Sequence, residues 1–296
     1  NEAFIEEAFR LEDGIPQDLG SIFRNTKNRS QNGSLNRNFS LLADPSMKLA
    51  RPEFGISFTM FRDPENKNPV DTLSALQEVE FEAQVINPST GGIASNFNGS
   101  YTIEVRDKPV KLKTLGDESS PVEFAEENIL LFKGTGKITA GLIKGRFKIP
   151  KNIDLELGEG KIRILGISED QAWEAFGFKT SIIGGSSSKP ALDTEGPEIK
   201  AIFGDRDVVP FTFSSTSIAM EAIFSDISGI NISGYLPSEN LTVQINQNDI
   251  IILNEFFTSA DNTFTTGKVK FKLTGLKEGK NLVTSKAWDI LGNQSV

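Results

Sequence analysis

The chain has 296 residues, carries 31 Lys and Arg against 40 Asp and Glu for a formal charge of −9, and contains neither Cys nor His. Those two absences exclude disulfides, Cys/His zinc sites, thiolate nucleophiles and Ser-His-Asp triads within the chain. The acidic balance argues against nucleic acid as a partner, because nucleic-acid-binding surfaces need clustered positive charge.

Residues 1–27 are the predicted helical region. Apolar residues recur there at the i, i+3, i+4 spacing of one helix face, and Gly14 is predicted to end a first helix and Pro16 to begin a second. A polar stretch with an Asn32-Gly33 turn signal follows, and residues 39–42 are predicted to form a short buried strand. The apolar positions of the first predicted helix are Phe4, Ile5, Ala8, Phe9 and Leu11.

From residue 54 to residue 183 the sequence has the pattern of β-strands. Between residues 78 and 85, Glu and Gln alternate strictly with apolar residues, which indicates a strand with one buried and one solvated face. Asn98-Gly99 predicts a hairpin turn that leads into a strand at 101–106. Further strands are predicted at 129–132, 146–149 and 161–166.

Residues 184–190 (GGSSSKP) have the composition of a linker. Alternation at 241–245 and 268–273 predicts further strands, and about 100 residues of short strands is the size of an immunoglobulin-like sandwich. The predicted boundaries are 1–52 for an N-terminal segment, 53–186 for a first β-sandwich, 187–196 for a linker and 197–296 for an immunoglobulin-like β-sandwich.

Acidic residues stand at predicted loops and strand ends of the C-terminal third. Ca²⁺ takes about six to eight hard oxygen ligands, which loops of this kind supply. The alternative is turn chemistry, since Asp side chains bond their own backbone in turns, and the sequence leaves both interpretations open. The residues are Asp193, Glu195, Glu198, Asp226 and Asp289.

Two other groups of side chains are candidates for function. Pairs of carboxylates catalyse glycoside hydrolysis when they flank a sugar bond, but the sequence does not place any pair in a cleft. The aromatic residues are interpreted mainly as core, with a protein- or carbohydrate-binding surface as the alternative; in Phe256-Phe257 one ring is expected to face outward. The other aromatic candidates are Tyr101, Trp173, Tyr235 and Trp288.

The order of several short motifs resembles the gingipain family of cysteine peptidases. The run from Phe39 to Pro52 (FSLLADPSMKLARP) resembles the segment that closes the catalytic domain in that family, with Ala43 where Gly is commoner, and residues 18–28 resemble its last helix. Downstream motifs are similar, in colinear order, to the gingipain-like sortases of the type IX secretion system. They lie at 71–76, 97–99, 105–108, 114–116, 145–151, 158–162, 182–185, 226–231 and 286–289.

The resemblance implies a mainly β fold: two immunoglobulin-like β-sandwich domains after a short helical and strand tail of an αβ caspase-like catalytic domain. The family's Cys nucleophile and His base lie upstream of the matched part, so no catalytic residue, cofactor or metal carries over to this chain. The chain is expected to be an internal piece of a longer protein and inactive alone.

The resemblance also implies a location and partners. The parent would act at the cell surface, associated with the outer membrane, and would cleave C-terminal sorting signals from secreted cargo and join the cargo to a surface glycolipid. The implied partners are an outer-membrane β-barrel subunit, other surface subunits and the cargo. Two rival hypotheses remain: a surface adhesin or glycan-binding protein, and a carboxylate-dependent hydrolase.

Overall fold

The computed structural model describes residues 2–30, 38–117, 120–187, 192–204, 206, 210 and 212–296. It is mainly β, as the alternating patterns predict, and it divides into two compact units, Asn1–Pro52 and Glu53–Val296. None of the helices within the described ranges is both long and apolar enough to cross a membrane.

The first unit contains two helices separated by a small hairpin. Asp13 and Gly14 both have positive φ, 51° and 78°, and form the two-residue turn that hairpins prefer. The predicted helix end at Gly14 is therefore wrong, because the hairpin ends the helix earlier, at Phe9. Asp18, rather than Pro16, caps the second helix by accepting a 2.7 Å hydrogen bond from the Ser21 amide. The elements are α1 (Glu2–Phe9), β1 (Leu11–Glu12), β2 (Ile15–Pro16) and α2 (Leu19–Arg29).

The predicted buried strand at 39–42 is wrong. These residues form no strand, and the side chains of Phe39 and Leu42 are 66% and 96% exposed. A four-residue strand is stable only beside another strand, and no described strand of this unit pairs with them. The predicted turn at Asn32-Gly33 lies outside the described residues.

The N-terminal lobe of the second unit is a closed β-barrel, not the predicted sandwich. The β-ladder runs through seven strands in the order β10-β5-β3-β12-β11-β6-β9 and returns to β10. The strands of this lobe are β3 (Phe54–Arg62), β4 (Thr72–Ala75), β5 (Glu78–Ile86), β6 (Gly99–Arg106), β7 (Val110–Lys113), β8 (Glu123–Glu126), β9 (Leu130–Thr139), β10 (Leu142–Lys148), β11 (Gly158–Ser168) and β12 (Glu174–Ser186).

A tight turn closes the barrel. Ala140 and Gly141 have φ of 49° and 73° and connect Thr139 to its partner Leu142, as in a two-residue hairpin with positive φ at both positions. This turn brings β10 beside β9 while its other edge pairs with β5. Since every ring strand then has two neighbours, the lobe closes instead of opening into two sheets.

The alternation predicted for residues 78–85 is confirmed, since every second residue of β5 is buried in the barrel core. Glycines make room for the largest ring of that core: a Cβ on Gly136 or Gly145 would lie 2.5 Å from an atom of Tyr101.

The predicted hairpin turn at Asn98-Gly99 is wrong. Gly99 begins β6, which pairs with β9 and β11 rather than with β5. Glycine is required there because a Cβ would lie 2.0 Å from the Ile167 carbonyl oxygen. The Asn-Gly signal therefore reflects a close approach of backbones and not a reversal of the chain.

The C-terminal lobe has two sheets that share one apolar core, in the orders β17-β18-β14-β13 and β16-β15-β19-β20. The alternation predicted for 268–273 is confirmed, with Val269 and Leu273 buried and the lysines exposed. The elements are β13 (Glu198–Phe203), β14 (Ile218–Ser225), η1 (Pro237–Glu239), β15 (Thr242–Ile245), β16 (Ile251–Ile252), η2 (Asn254–Phe256), β17 (Phe257–Ser259), β18 (Thr266–Leu273), β19 (Val283–Trp288) and β20 (Gln294–Ser295).

The two lobes share hydrogen bonds and core. Ser259 of β17 pairs with Gly134 of β9, so that one sheet continues from the barrel into the second lobe. Leu130 of β9 lies in the apolar core of the C-terminal lobe. The segment predicted as a linker, 187–196, therefore runs within one compact unit; its residues 188–191 are outside the described part of the chain.

Polar contacts reinforce this joint between the lobes. The Tyr101 hydroxyl lies 2.8 Å from the Lys144 carbonyl oxygen and 3.0 Å from Asn262 Oδ1. The Arg106 guanidinium donates to both carboxylate oxygens of Glu255, at 3.3 and 3.1 Å. Because Asn262 and Glu255 belong to the C-terminal lobe, their contacts with Tyr101 and Arg106 cross between the lobes and restrict the movement of one lobe relative to the other.

Candidate functional site

Three of the five acidic candidates come together at one end of the C-terminal lobe. Carboxylate oxygens of Asp193, Asp226 and Asp289 all lie within 4.8 Å of one another. Glu195 and Glu198 are exposed and are not part of this group. The prediction that loops gather acidic residues at one pole is thus correct for three positions.

Asp226 and Asp289 are held by their own loops, and Asp193 is also held by the loop of Asp226. Asp226 Oδ1 accepts from the Ser228 amide at 2.7 Å, and the Ser228 hydroxyl donates to Asp193 Oδ2 at 2.7 Å. The fully buried Asp289 accepts from the Asn293 amide at 2.6 Å and from its side-chain amide at 2.8 Å. Hydrogen bonds from nearby backbone amides to Asp side chains are typical of turns. They correspond to the interpretation that the sequence offered as the alternative to calcium binding.

The pKa values of Asp226 and Asp193 are shifted in opposite directions. Burial raises the pKa of Asp226 to about 6, assisted by the nearby charges of Asp289 and Asp193. The hydrogen bond from Ser228 holds the pKa of Asp193 below its usual range. The three residues offer hard oxygen ligands of the kind that Ca²⁺ takes, and without a cation their repulsion favours a proton on Asp226.

Glu80 lines a cleft on the barrel but is not arranged as a general acid. In a cleft on the barrel, Glu80 is bonded by Arg62 at 2.7 Å and also by Arg146 and Lys67, which lower the pKa of Glu80 to about 2. A general acid needs the opposite, a raised pKa. Asp226 has a raised pKa but lines neither the cleft at Glu80 nor the cleft at Trp173.

The first unit exposes many of its large apolar side chains. Among its described residues the buried ones are Ala8 and Ile22, together with Glu7 and Gln17. An ion pair at 2.6 Å between the buried Glu7 and the half-exposed Arg29 joins the two helices beside these few buried residues. We call the exposed set the N-terminal apolar surface; it comprises Phe4, Ile5, Phe9, Leu11, Ile15, Phe39, Leu42, Met47 and Leu49.

A hairpin of β7 and β8 stands apart from the barrel ladder. These strands pair with each other and with no other described strand. One face carries Val110, Leu112 and Phe124 together with Glu126 at its end, and Val122 continues the same face; Phe124 is 44% exposed. A lone two-stranded hairpin is marginally stable in water, so an uncovered apolar face of this kind is typical of an interaction surface.

The other face of this hairpin is charged. Lys113 pairs with Glu123 at 2.9 Å, and Lys111 lies on the same side. Lys on β7 and Glu on β8 also mark the two free edges, which discourages like edges from pairing. The apolar face is therefore the part of the hairpin suited to contact a partner.

The aromatic candidates divide between core and surface. Tyr101 and Phe257 are buried, whereas Phe256 is exposed, which confirms that one ring of the adjacent pair faces outward. Trp288 is largely enclosed, and its indole Nε1 meets no acceptor among the described residues. Tyr235 and Trp173 are exposed, and Trp173 lines a cleft.

No family model and no curated protein matches the chain. Several solved structures are similar to it, including the following two. The structure of dimeric latent PorU from Porphyromonas gingivalis is 25% identical, covers 98% of this chain and has a TM-score of 0.47. The sporulation control protein Spo0M from Bacillus subtilis is 11% identical over 79% of this chain and 90% of its own, with a TM-score of 0.27. The chain spans 28% of the length of the PorU chain.

Proposed function

We propose that this chain is a non-catalytic region of a gingipain-like sortase of the type IX secretion system, where it positions the catalytic domain at the cell surface and binds other subunits. The colinear motifs described above support the family. The lack of Cys and His supports the absence of a nucleophile and base within the chain. Sorting-signal cleavage and transfer of cargo to a glycolipid would belong to the parent protein.

The N-terminal apolar surface is the observation that carries this proposal. A self-contained helical cap, which a free-standing adhesin requires, would bury its apolar side chains in a core of its own. Residues Asn1–Pro52 instead expose Phe4, Ile5, Phe9 and others beside a few buried residues. Such a surface fits a segment that completes the core of a larger catalytic domain.

The second unit supports a positioning role through its rigidity. Barrel and C-terminal lobe share a sheet at Ser259 and Gly134 and share core at Leu130. Two lobes joined in this way fix the distance between their far ends without chemistry of their own. The hairpin of β7 and β8 then supplies a protein-binding face, for which we propose the outer-membrane β-barrel subunit as partner.

The proposal for the N-terminal apolar surface is tested with Ile5→Asp in two contexts. Ile5 is exposed in this chain, so the substitution should leave the urea midpoint of the isolated chain unchanged. In the parent protein it should lower stability by about 2 kcal/mol or more, because it would bury an unpaired charge. Glu2→Gln, on the same helix, is the control. Equal tolerance of Ile5→Asp in both contexts would contradict the proposal.

The hairpin is tested in the parent protein by capture of the outer-membrane β-barrel subunit. Phe124→Ser should reduce recovery of that subunit by about tenfold, since aromatic anchors dominate protein interfaces. Lys111→Ser, on the opposite face of the same hairpin, should leave recovery unchanged. Recovery that survives Phe124→Ser would remove the hairpin from the interface.

A further inference from the structure

A cleft of about 400 Å³ opens at the end of the barrel where β3, β6 and β12 begin and β11 ends. Its volume lies within the range of about 300 to 1,000 Å³ typical of small-molecule sites. The lining combines aromatic rings with side-chain amides and carboxylates. The lining includes Phe54, Asn96, Phe97, Asn98, Asp170 and Trp173.

The Trp173 ring is exposed to solvent and packs against another aromatic ring. Its side chain is 49% exposed, and its ring meets Phe54 edge to face at a centroid distance of 5.9 Å. Phe54 in turn contacts the buried Phe97 at 5.3 Å. An indole held from beneath in this way loses little further freedom when a ligand stacks on it.

The loop that presents Trp173 is fixed by its own hydrogen bonds. The Ser168 amide donates to the Trp173 carbonyl at 3.0 Å, and the Trp173 amide donates to the Ser168 hydroxyl at 3.0 Å. That hydroxyl donates to Asp170 Oδ1 at 2.6 Å. The site is thus preorganised on strand ends rather than on a free loop.

The polar groups around the indole are exposed and complementary, and several have no hydrogen-bond partner among the described residues. Asp170 Oδ2 accepts no hydrogen bond from any described residue, and the Asn96 side chain makes none within the described chain. Asn98 uses Oδ1 to accept from the Ala140 amide at 2.9 Å, which leaves its Nδ2 free to donate. A carboxylate acceptor beside amide donors matches neighbouring hydroxyl groups, each of which donates and accepts.

The charge of the lining selects among hydroxyl-rich ligands. Glu169 and Asp170 line the cleft, and neither Lys nor Arg is among its described lining residues. An acidic ligand would meet repulsion without a cationic partner. An uncharged ligand with an apolar face and several hydroxyls could stack on the indole ring and form hydrogen bonds with the amides and the carboxylates at the same time.

We propose that this cleft binds an uncharged sugar, with the C–H face of the sugar ring on Trp173 and its hydroxyls bonded to Asp170, Asn96 and Asn98. The cleft lies wholly within the barrel lobe, so this inference stands independently of the proposed role in secretion.

The test uses saturation-transfer NMR on the full chain with glucose, galactose, mannose and N-acetylglucosamine, and with glucuronate as an acidic comparison. At least one uncharged sugar should bind, and Trp173→Ala should weaken its affinity by about tenfold or more. Asn96→Ala, at an exposed side chain without a hydrogen bond to any described residue, should weaken the binding of the same sugar. Phe178→Ala is the matched control, because Phe178 is an exposed ring on β12, the strand that follows Trp173, and lies outside the cleft.

Binding that depends on Trp173 and Asn96 but not on Phe178 would support the site. Stronger binding of glucuronate than of every uncharged sugar would overturn it. Equal affinity of Trp173→Ala and the unchanged chain, or no binding of any sugar in the panel, would also overturn it.

Discussion

At the scale of single residues, Asp226 gives the C-terminal lobe a definite pH dependence. Its pKa rises from the usual 3.8 to about 6 in the folded protein, so the folded state keeps a proton that the unfolded chain releases. The free energy of unfolding should therefore fall as the pH rises from about 4 to about 6, and the loss should be complete above about pH 7. Asp289 and Asp193 are the negative groups that face it, and Lys148 acts on Asp193.

Asp226→Asn should remove this dependence, since the amide oxygen can still accept from the Ser228 amide. The variant should be more stable than the unchanged chain near pH 7 and similar to it below about pH 4. Urea unfolding in the presence of a chelator, at several pH values, measures both. Asp249→Asn, at an exposed carboxyl of the same lobe, serves as control, and a variant that keeps the fall in stability would show that another group causes it.

At the scale of elements, the turn between β9 and β10 determines whether the barrel closes. Gly141 has φ of 73°, and a Cβ there would lie 2.6 Å from the Ala94 carbonyl oxygen. Gly141→Ala therefore combines a left-handed backbone with a steric conflict and should cost about 2 to 3 kcal/mol of stability.

Gly91→Ala is the matched control for that prediction. Gly91 has a similar φ of 69°, but a Cβ there would meet nothing within 4 Å. Its substitution should cost only about 1 kcal/mol, the strain of the backbone alone. Urea midpoints of the two variants give the comparison, and equal losses would show that the approach to Ala94 adds nothing to the strain.

The elements also show what local sequence can reveal. The alternation in β5 and β18 predicted those strands correctly, because one buried face imposes a period of two on the residues themselves. The buried strand predicted at 39–42 was wrong, because a short apolar run is buried as a strand only when another strand pairs with it, and no described strand of that unit does so. The hairpin predicted at Asn98-Gly99 was wrong for a related reason. Gly99 is needed because its backbone lies against Ile167, about seventy residues away in the sequence.

The candidate sites follow the same rule. Asp193, Asp226 and Asp289 were predictable as a group because Asp at strand ends collects at one pole of a β lobe. The cleft at Trp173 was not predictable, because it depends on β3, β6 and β11 meeting at one end of a barrel whose closure is long-range. The separation of the β7–β8 hairpin from the barrel sheet was not predictable either, because its sequence alternates like that of any half-buried strand.

At the scale of the whole second unit, barrel and C-terminal lobe should unfold together. They share the ladder at Ser259 and Gly134, and Leu130 of the barrel strand β9 packs in the core of the other lobe. Neither lobe can then unfold without exposing apolar surface of the other. Leu130→Ala removes most of a side chain that is 2% exposed and leaves a cavity in the core. It should destabilise both lobes by about 2 to 5 kcal/mol.

The two tryptophans make this coupling measurable, since Trp173 lies in the barrel lobe and Trp288 in the C-terminal lobe. Trp173→Phe leaves Trp288 as the fluorescent reporter, and Trp288→Phe leaves Trp173. In each background, urea unfolding should give a single transition, and Leu130→Ala should shift the midpoint of both reporters. If the lobes share a core, the loss of one buried side chain should lower the urea midpoint of both lobes. A midpoint that shifts for the Trp288 reporter but not for the Trp173 reporter would therefore mean that the lobes unfold separately.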